Sequence, residues 1–81
     1  HLSIEARMGE SAAFALRMSA GIDLDRFEER FGVRAEKYWE REMDRTQSLG
    51  LGELTQKTFR LTQTGLRFAD SVGAEFVHTE S

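Results

Sequence analysis

From residue 11 to residue 49 the apolar positions return every three or four residues, and from 51 to 62 every second one. The first pattern predicts helices and the second predicts strands. Gly9, Glu10 and Ser11 open the first helix, with Ser11 as its N-cap. Ala13, Leu16 and Ala20 then share one face, and Phe14 and Met18 form an adjoining stripe. The apolar arc is wide, which predicts a central helix. Gly21 stops it, because a left-handed residue just past a helix end costs least as glycine.

Asp23 caps a second helix, and Asp25 adds charge of the sign that a helix N-terminus favours. Leu24, Phe27 and Phe31 make its narrow apolar stripe, Glu28, Glu29 and Arg30 face water, and Gly32 closes it. A third helix runs from Ala35 to Leu49, with Ala35, Trp39, Met43, Thr46 and Leu49 in one arc, and Gly50 ends it. Two short alternating runs follow, Leu51–Thr55 and Thr58–Thr62, separated by Gln56 and Lys57. They predict a hairpin, although its turn lacks the glycine or asparagine that tight primed turns prefer. Leu66, Ala69, Val72 and Phe76 are spaced for a fourth helix, weakened near its middle by Gly73. The expected fold is α+β, mainly α, and winged-helix-like: three helices, a β-hairpin wing and a C-terminal helix. The segment LTQTGLRFA is a frequent exit from such wings.

Eighty-one residues make one small domain. The division expected is an N-terminal segment or tag remnant over 1–9, the winged-helix-like domain over 10–77 and a polar tail over 78–81. Because the chain starts at His1 and not at methionine, it reads as a piece of something longer. It contains no cysteine, hence no disulfide, no thiolate nucleophile and no cysteine-held cluster. No apolar run approaches the ~20 residues that span a bilayer, and no membrane partner is expected.

Charge bears on the obvious use of a helix-turn-helix shape. Net charge is −3, which gives no overall pull toward nucleic acid. In a winged DNA reader the third helix enters the major groove. Here that helix carries Lys37, Arg41 and Arg45 against Glu36, Glu40, Glu42 and Asp44. Three bases against four acids make a solvated face and not a groove reader. The basic spot is the wing, where Lys57, Arg60 and Arg67 outnumber Glu53. Gatekeeper charge on an edge strand explains it simply; a docking patch for an acidic surface is the sharper reading.

Little else suggests chemistry. His1 and His78 lie at opposite ends without metal-site spacing. Met8, Met18 and Met43 read as core filler before haem ligands. The pair Glu28–Glu29 points into water with no pocket implied, and Ser11, Ser19, Ser48 and Ser71 have no histidine partner. Arg17 stands out on an otherwise apolar helix, with Glu10 two turns back on the same side. An ordinary ion pair or a snorkelling arginine accounts for it; a polar contact to another domain is the functional alternative.

Read together, ESAAFALRMSAGIDLDRFEERFG, then SLGL, then FRLTQTG, then AEFV resemble one family. It is the C-terminal domain of oxygen-independent coproporphyrinogen III oxidases and their haem-chaperone relatives, which are radical S-adenosylmethionine proteins. The resemblance covers Glu10 to Val77. Glu10, Leu16 and Arg17 meet the family's acidic residue before a Leu-Arg pair. Gly21, Ile22 and Asp23 meet its Gly-Ile-Asp turn, and Phe27, Phe31 and Gly32 its Phe-Gly helix end. The closing AEFV is more like the haem-chaperone branch. Gln63 stands where the family usually has proline, and Thr46 and Gly52 where relatives tend to carry leucine, so a looser core is expected.

The resemblance implies a catalytic barrel upstream, where a C-x-x-x-C-x-x-C motif holds a 4Fe-4S cluster beside S-adenosylmethionine. This chain would then hold no catalytic, cofactor-binding or metal-binding residue. It implies a non-catalytic accessory domain packed on that barrel, in contact with porphyrin or haem only through the parent, and a cytoplasmic location. Interdomain contacts would fall to Glu10, Arg17, Lys57, Arg60 and Arg67. Two alternatives stay open: a winged-helix DNA-binding regulatory domain, and a protein-interaction module on the same fold.

Overall fold

A computed structural model describes residues 3–77; His1 and the polar tail with His78 lie outside the described residues. Ser3, and not Ser11, caps the first helix, its hydroxyl accepting the Ala6 N–H at 3.1 Å. Helix α1 therefore spans Ile4–Leu16. Gly9 lies inside it as a contact point, because a Cβ there would stand 2.9 Å from the Val77 Cα of the last helix. The early start also resets the buried face, which is Met8, Ala12 and Leu16. Of the expected face only Leu16 is fully buried. Phe14 is 65% exposed, Met18 about half so, and Ala20 lies in solvent beyond the helix end.

The two residues after Gly21 form a strand too short to show a period. This is β1, Ile22–Asp23, whose Ile22 pairs antiparallel with Phe59. Gly21, at φ 75°, packs against the Phe59 carbonyl, and neither the left-handed backbone nor that approach accommodates a side chain. Helix α2 (Leu24–Phe31) starts as expected: Asp23 accepts the Arg26 N–H at 3.1 Å. Leu24 and Phe27 are buried, Phe31 is half-buried, and Gly32 closes the helix in the left-handed region.

The expected third helix is divided in two. Helix α3 (Ala35–Tyr38) and helix α4 (Glu40–Ser48) meet at Trp39, whose backbone leaves the helical region at φ −111° and ψ 38°. The ladder runs on across the break, with Trp39 N–H bonded to Ala35 and Met43 N–H to Trp39. The break is a bend, and the indole at it donates to the Phe76 carbonyl at 3.1 Å. Ala35, Trp39, Met43 and Thr46 are buried as expected, whereas Leu49 lies past the helix end and is exposed.

Strands β2 (Gly52–Leu54) and β3 (Thr58–Leu61) form the hairpin, and the sheet order is β1-β3-β2. The turn needs no glycine, because the Thr55 hydroxyl accepts the N–H groups of Lys57 and Thr58 at 3.2 and 3.0 Å. Nor is the sheet loosely packed at Gly52. A Cβ there would stand 2.8 Å from the Phe59 ring and 2.9 Å from the Thr46 methyl. Thr46 itself is buried with its hydroxyl donating to the Glu42 carbonyl at 2.7 Å. The Phe59 ring and the Thr46 methyl occupy the space beside Gly52.

The last helix is also preceded by a separate turn. Thr62 caps α5 (Gln63–Leu66) by accepting the Gly65 N–H at 3.0 Å, and α6 then spans Ala69–Val77. Gly73 is where α6 meets α1: a Cβ there would lie 3.3 Å from that of Ala13. The fold is α+β and mainly α, six helices and one three-stranded antiparallel sheet among the described residues. Its centre is aromatic. Trp39 contacts Phe27 and Phe76 at ring distances of 5.5 and 5.2 Å, and Phe59 lies 6.1 Å from Phe76. Each such buried ring is worth about 1.5–3 kcal/mol over its exposed state, and Trp39 and Phe76 link the others into one cluster.

Candidate functional site

The five residues that the sequence marks for contacts sit in three places: Glu10 and Arg17 on α1 and its end, Lys57 and Arg60 on the hairpin, and Arg67 at the end of α5. Arg17 follows the last turn of α1 and pairs with Asp70 of α6 at 2.8 Å, both side chains well exposed. It does not pair with Glu10. Seven residues of helix separate the two by roughly 10 Å along the axis, whereas α6 brings Asp70 directly alongside. An exposed pair of this kind contributes about 0–1 kcal/mol. Glu10 instead borders a trough with Arg7, Ser11, Phe14 and Arg30.

On the hairpin, the Lys57 carbonyl accepts the N–H of Leu24, which fixes the turn to the start of α2. Arg60 reaches across the strands to Glu53 at 3.3 Å, the two residues being direct partners in register. Arg67 stands at the end of α5, exposed. With Arg60 held by Glu53, the wing's charge excess resides on Lys57 and Arg67. No ion pair joins any two of Glu10, Arg17, Lys57, Arg60 and Arg67 among the described residues.

A group that sequence reasoning missed is the densest charge cluster in the fold. Arg34, in the loop between α2 and α3, bonds Asp25 at 2.9 Å, Glu28 at 3.0 Å and Glu36 at 2.9 Å. Asp25 and Glu28, one turn apart on α2, converge on its Nη1, and Glu36 takes its Nε and Nη2. The hydrogen bonds to Asp25, Glu28 and Glu36, in that order, push the guanidinium pKa further up. One signal was present: two carboxylates at i, i+3 on an outward face call for a cation opposite. The second Glu36 oxygen is buried without a partner.

The family model for the HemN C-terminal domain matches residues 2–68, most of the chain. The chain belongs to the HemN C-terminal domain family. No curated protein and no solved structure matched it.

The matched range ends just before α6, which packs on α1 within the same fold. That helix supplies Phe76 to the core and Asp70 to Arg17. The chemistry available on the domain is narrow. Cluster binding of the iron–sulfur kind requires thiolates, and the chain has none. Among the described residues no three His, Asp or Glu side chains are grouped to hold a metal ion. Its own donors therefore do not fit such a cluster. Met8 and Met43 are buried as filler, while Met18 is half-exposed. The third helical segment shows mixed signs in space as in sequence: Arg41, Glu42, Arg45 and Glu75 line one shallow groove between α4 and α6. None of the described helices is long and apolar enough to cross a membrane.

Proposed function

We propose that this chain is the non-catalytic C-terminal accessory domain of a coproporphyrinogen III oxidase-like radical S-adenosylmethionine protein of porphyrin or haem metabolism. The observation that carries the reading is the family match over residues 2–68. The 4Fe-4S cluster, S-adenosylmethionine and any porphyrin or haem belong to a catalytic barrel upstream, and this domain packs beside it in the cytoplasm. The order of helices, hairpin and last helix supports a winged-helix arrangement put to structural use. The balance of acids and bases on α3 and α4 speaks against the DNA-binding alternative.

Docking on the barrel falls to Arg17, Lys57, Arg60 and Arg67, cations that are exposed and held within the domain by surface pairs at most. Glu10 opens onto a different trough and stands apart from that set. The closing AEFV motif, beyond the matched range, favours the haem-chaperone branch over the oxidase.

The test uses the full-length parent. Arg17→Ala together with Lys57→Glu and Arg67→Glu should speed limited proteolysis between barrel and tail, while the isolated domain keeps its circular dichroism. An unchanged cleavage rate refutes docking through these cations. An upstream sequence without the C-x-x-x-C-x-x-C motif refutes the radical S-adenosylmethionine reading itself.

A further inference from the structure

The chain has one tryptophan and one tyrosine, and they are neighbours, Trp39 and Tyr38. Their rings meet edge to face, 4.9 Å between centres and 87° between planes. Their burial is opposite: Trp39 is 3% exposed and Tyr38 47%. The pair stands at the bend where α3 gives way to α4, so one ring turns into the core as the other turns out. With no cysteine in the chain, these two rings are its readiest one-electron donors. Methionine is oxidised mainly by oxygen transfer to sulfur.

An electron lost from Trp39 leaves a charge in particular surroundings. The indole N–H donates to the Phe76 carbonyl at 3.1 Å, and a peptide carbonyl is too weak a base to take that proton. The oxidised indole therefore keeps its positive charge, which is costly in an apolar core. The Phe27 and Phe76 rings at 5.5 and 5.2 Å are harder to oxidise than indole and cannot refill it. Among the ring contacts of the described residues, that leaves Tyr38. A phenol gives up an electron more readily than an indole when its proton can leave to water, and Tyr38 is half-exposed.

We propose that Tyr38 guards Trp39 against one-electron oxidation. A peroxyl-type radical takes one electron from the indole and leaves as the hydroperoxide anion. One electron from Tyr38 then returns Trp39 to the neutral indole, and the phenol proton passes to water. The resulting phenoxyl radical lies at the surface, where a solvent thiol restores it by giving up a hydrogen atom and becoming a thiyl radical. A thiol cannot reach the buried indole directly. What the guard preserves is the bond from the bend to Phe76, which an indole opened by oxidation would lose. None of this depends on the docking of the domain.

Flash photolysis of the intact chain tests the electron step. A long-wavelength ultraviolet pulse absorbed by indole alone, with an electron scavenger present, oxidises Trp39. The visible absorption of the indole radical should decay as the phenoxyl band rises, at one rate that is independent of protein concentration. Unfolding in urea should lower that rate by parting the rings. In Tyr38→Phe the phenoxyl band should be lost and the indole radical should persist. The guarding itself is read by peptide mass spectrometry under a steady source of peroxyl radicals with a thiol present. There Tyr38→Phe should lose intact Trp39 several-fold faster than the parent chain. Unchanged far-ultraviolet circular dichroism and Trp39 emission show that the variant folds. An indole radical that decays without a phenoxyl band overturns the proposal. So does a transfer rate that unfolding does not lower, or equal loss of Trp39 in the two chains.

Discussion

The indole N–H of Trp39 donates to the carbonyl of Phe76 at 3.1 Å, and the two rings lie 5.2 Å apart. Phe76 lies in the last turn of α6 as described, and among the described residues no helical N–H reaches its carbonyl. The bend between α3 and α4 thus ties itself to the last turn of α6. Trp39→Phe keeps most of the ring volume and removes the donor. It should cost about 1–3 kcal/mol, the penalty of a buried acceptor left unsatisfied, read from the midpoint of urea unfolding. A midpoint unchanged from the parent chain would mean the bond contributes nothing.

Gly9 separates propensity from packing. On propensity alone, alanine in mid-helix gains roughly 1 kcal/mol over glycine. A Cβ at Gly9, however, would press 2.9 Å from the Val77 Cα and 3.1 Å from the Phe76 carbonyl oxygen, both backbone. Gly9→Ala should therefore destabilise, by about 1–3 kcal/mol as overpacking does. A rise in thermal midpoint would show that α6 can shift away freely.

Gln63 is the first residue of α5, directly after the Thr62 cap. Proline fits there, because the N–H it lacks has no intrahelical partner. Thr62, at φ −70° and ψ 173°, already holds the extended backbone that a following proline demands. Gln63→Pro should stabilise by about 0.4–1 kcal/mol through the unfolded chain's lost freedom. Differential scanning calorimetry would show it as a raised midpoint.

Arg34 joins three carboxylates from two helices. Arg34→Met keeps the stem and removes the charge, leaving Asp25, Glu28 and Glu36 to repel one another. The variant should melt lower, and molar salt should narrow the gap to the parent chain, since exposed charges are screened. A gap that does not change with salt would assign the effect to packing.

Much of the local structure was legible residue by residue. Asp23 as a cap, Gly32 as a left-handed stop and the two-residue hairpin turn are decided within a few residues of chain, by side-chain acceptors and backbone sterics. The family likeness, carried by short ordered motifs, was legible for the same reason. The five residues marked for contacts are exposed charges in the fold, but the partners that charged side chains find within it were not legible. Arg17 finds Asp70, fifty-three positions on, and Arg34 draws together Asp25, Glu28 and Glu36 from both sides of a loop.

The sequence by itself determined the order and kind of the main elements, since propensity, capping and periodicity act over one or two turns. Only the tertiary structure decided the rest. Gly9 reads as a break in isolation and proves to be a seat for α6, which is what allows α1 to run back to Ser3. Ile22–Asp23 becomes a strand because β3 offers it a free edge. At Gly52, where a looser core was expected, the Phe59 ring and the Thr46 methyl stand close. Each of these depends on which surfaces come within about 4 Å of one another, the range over which packing acts, and no local pattern encodes that.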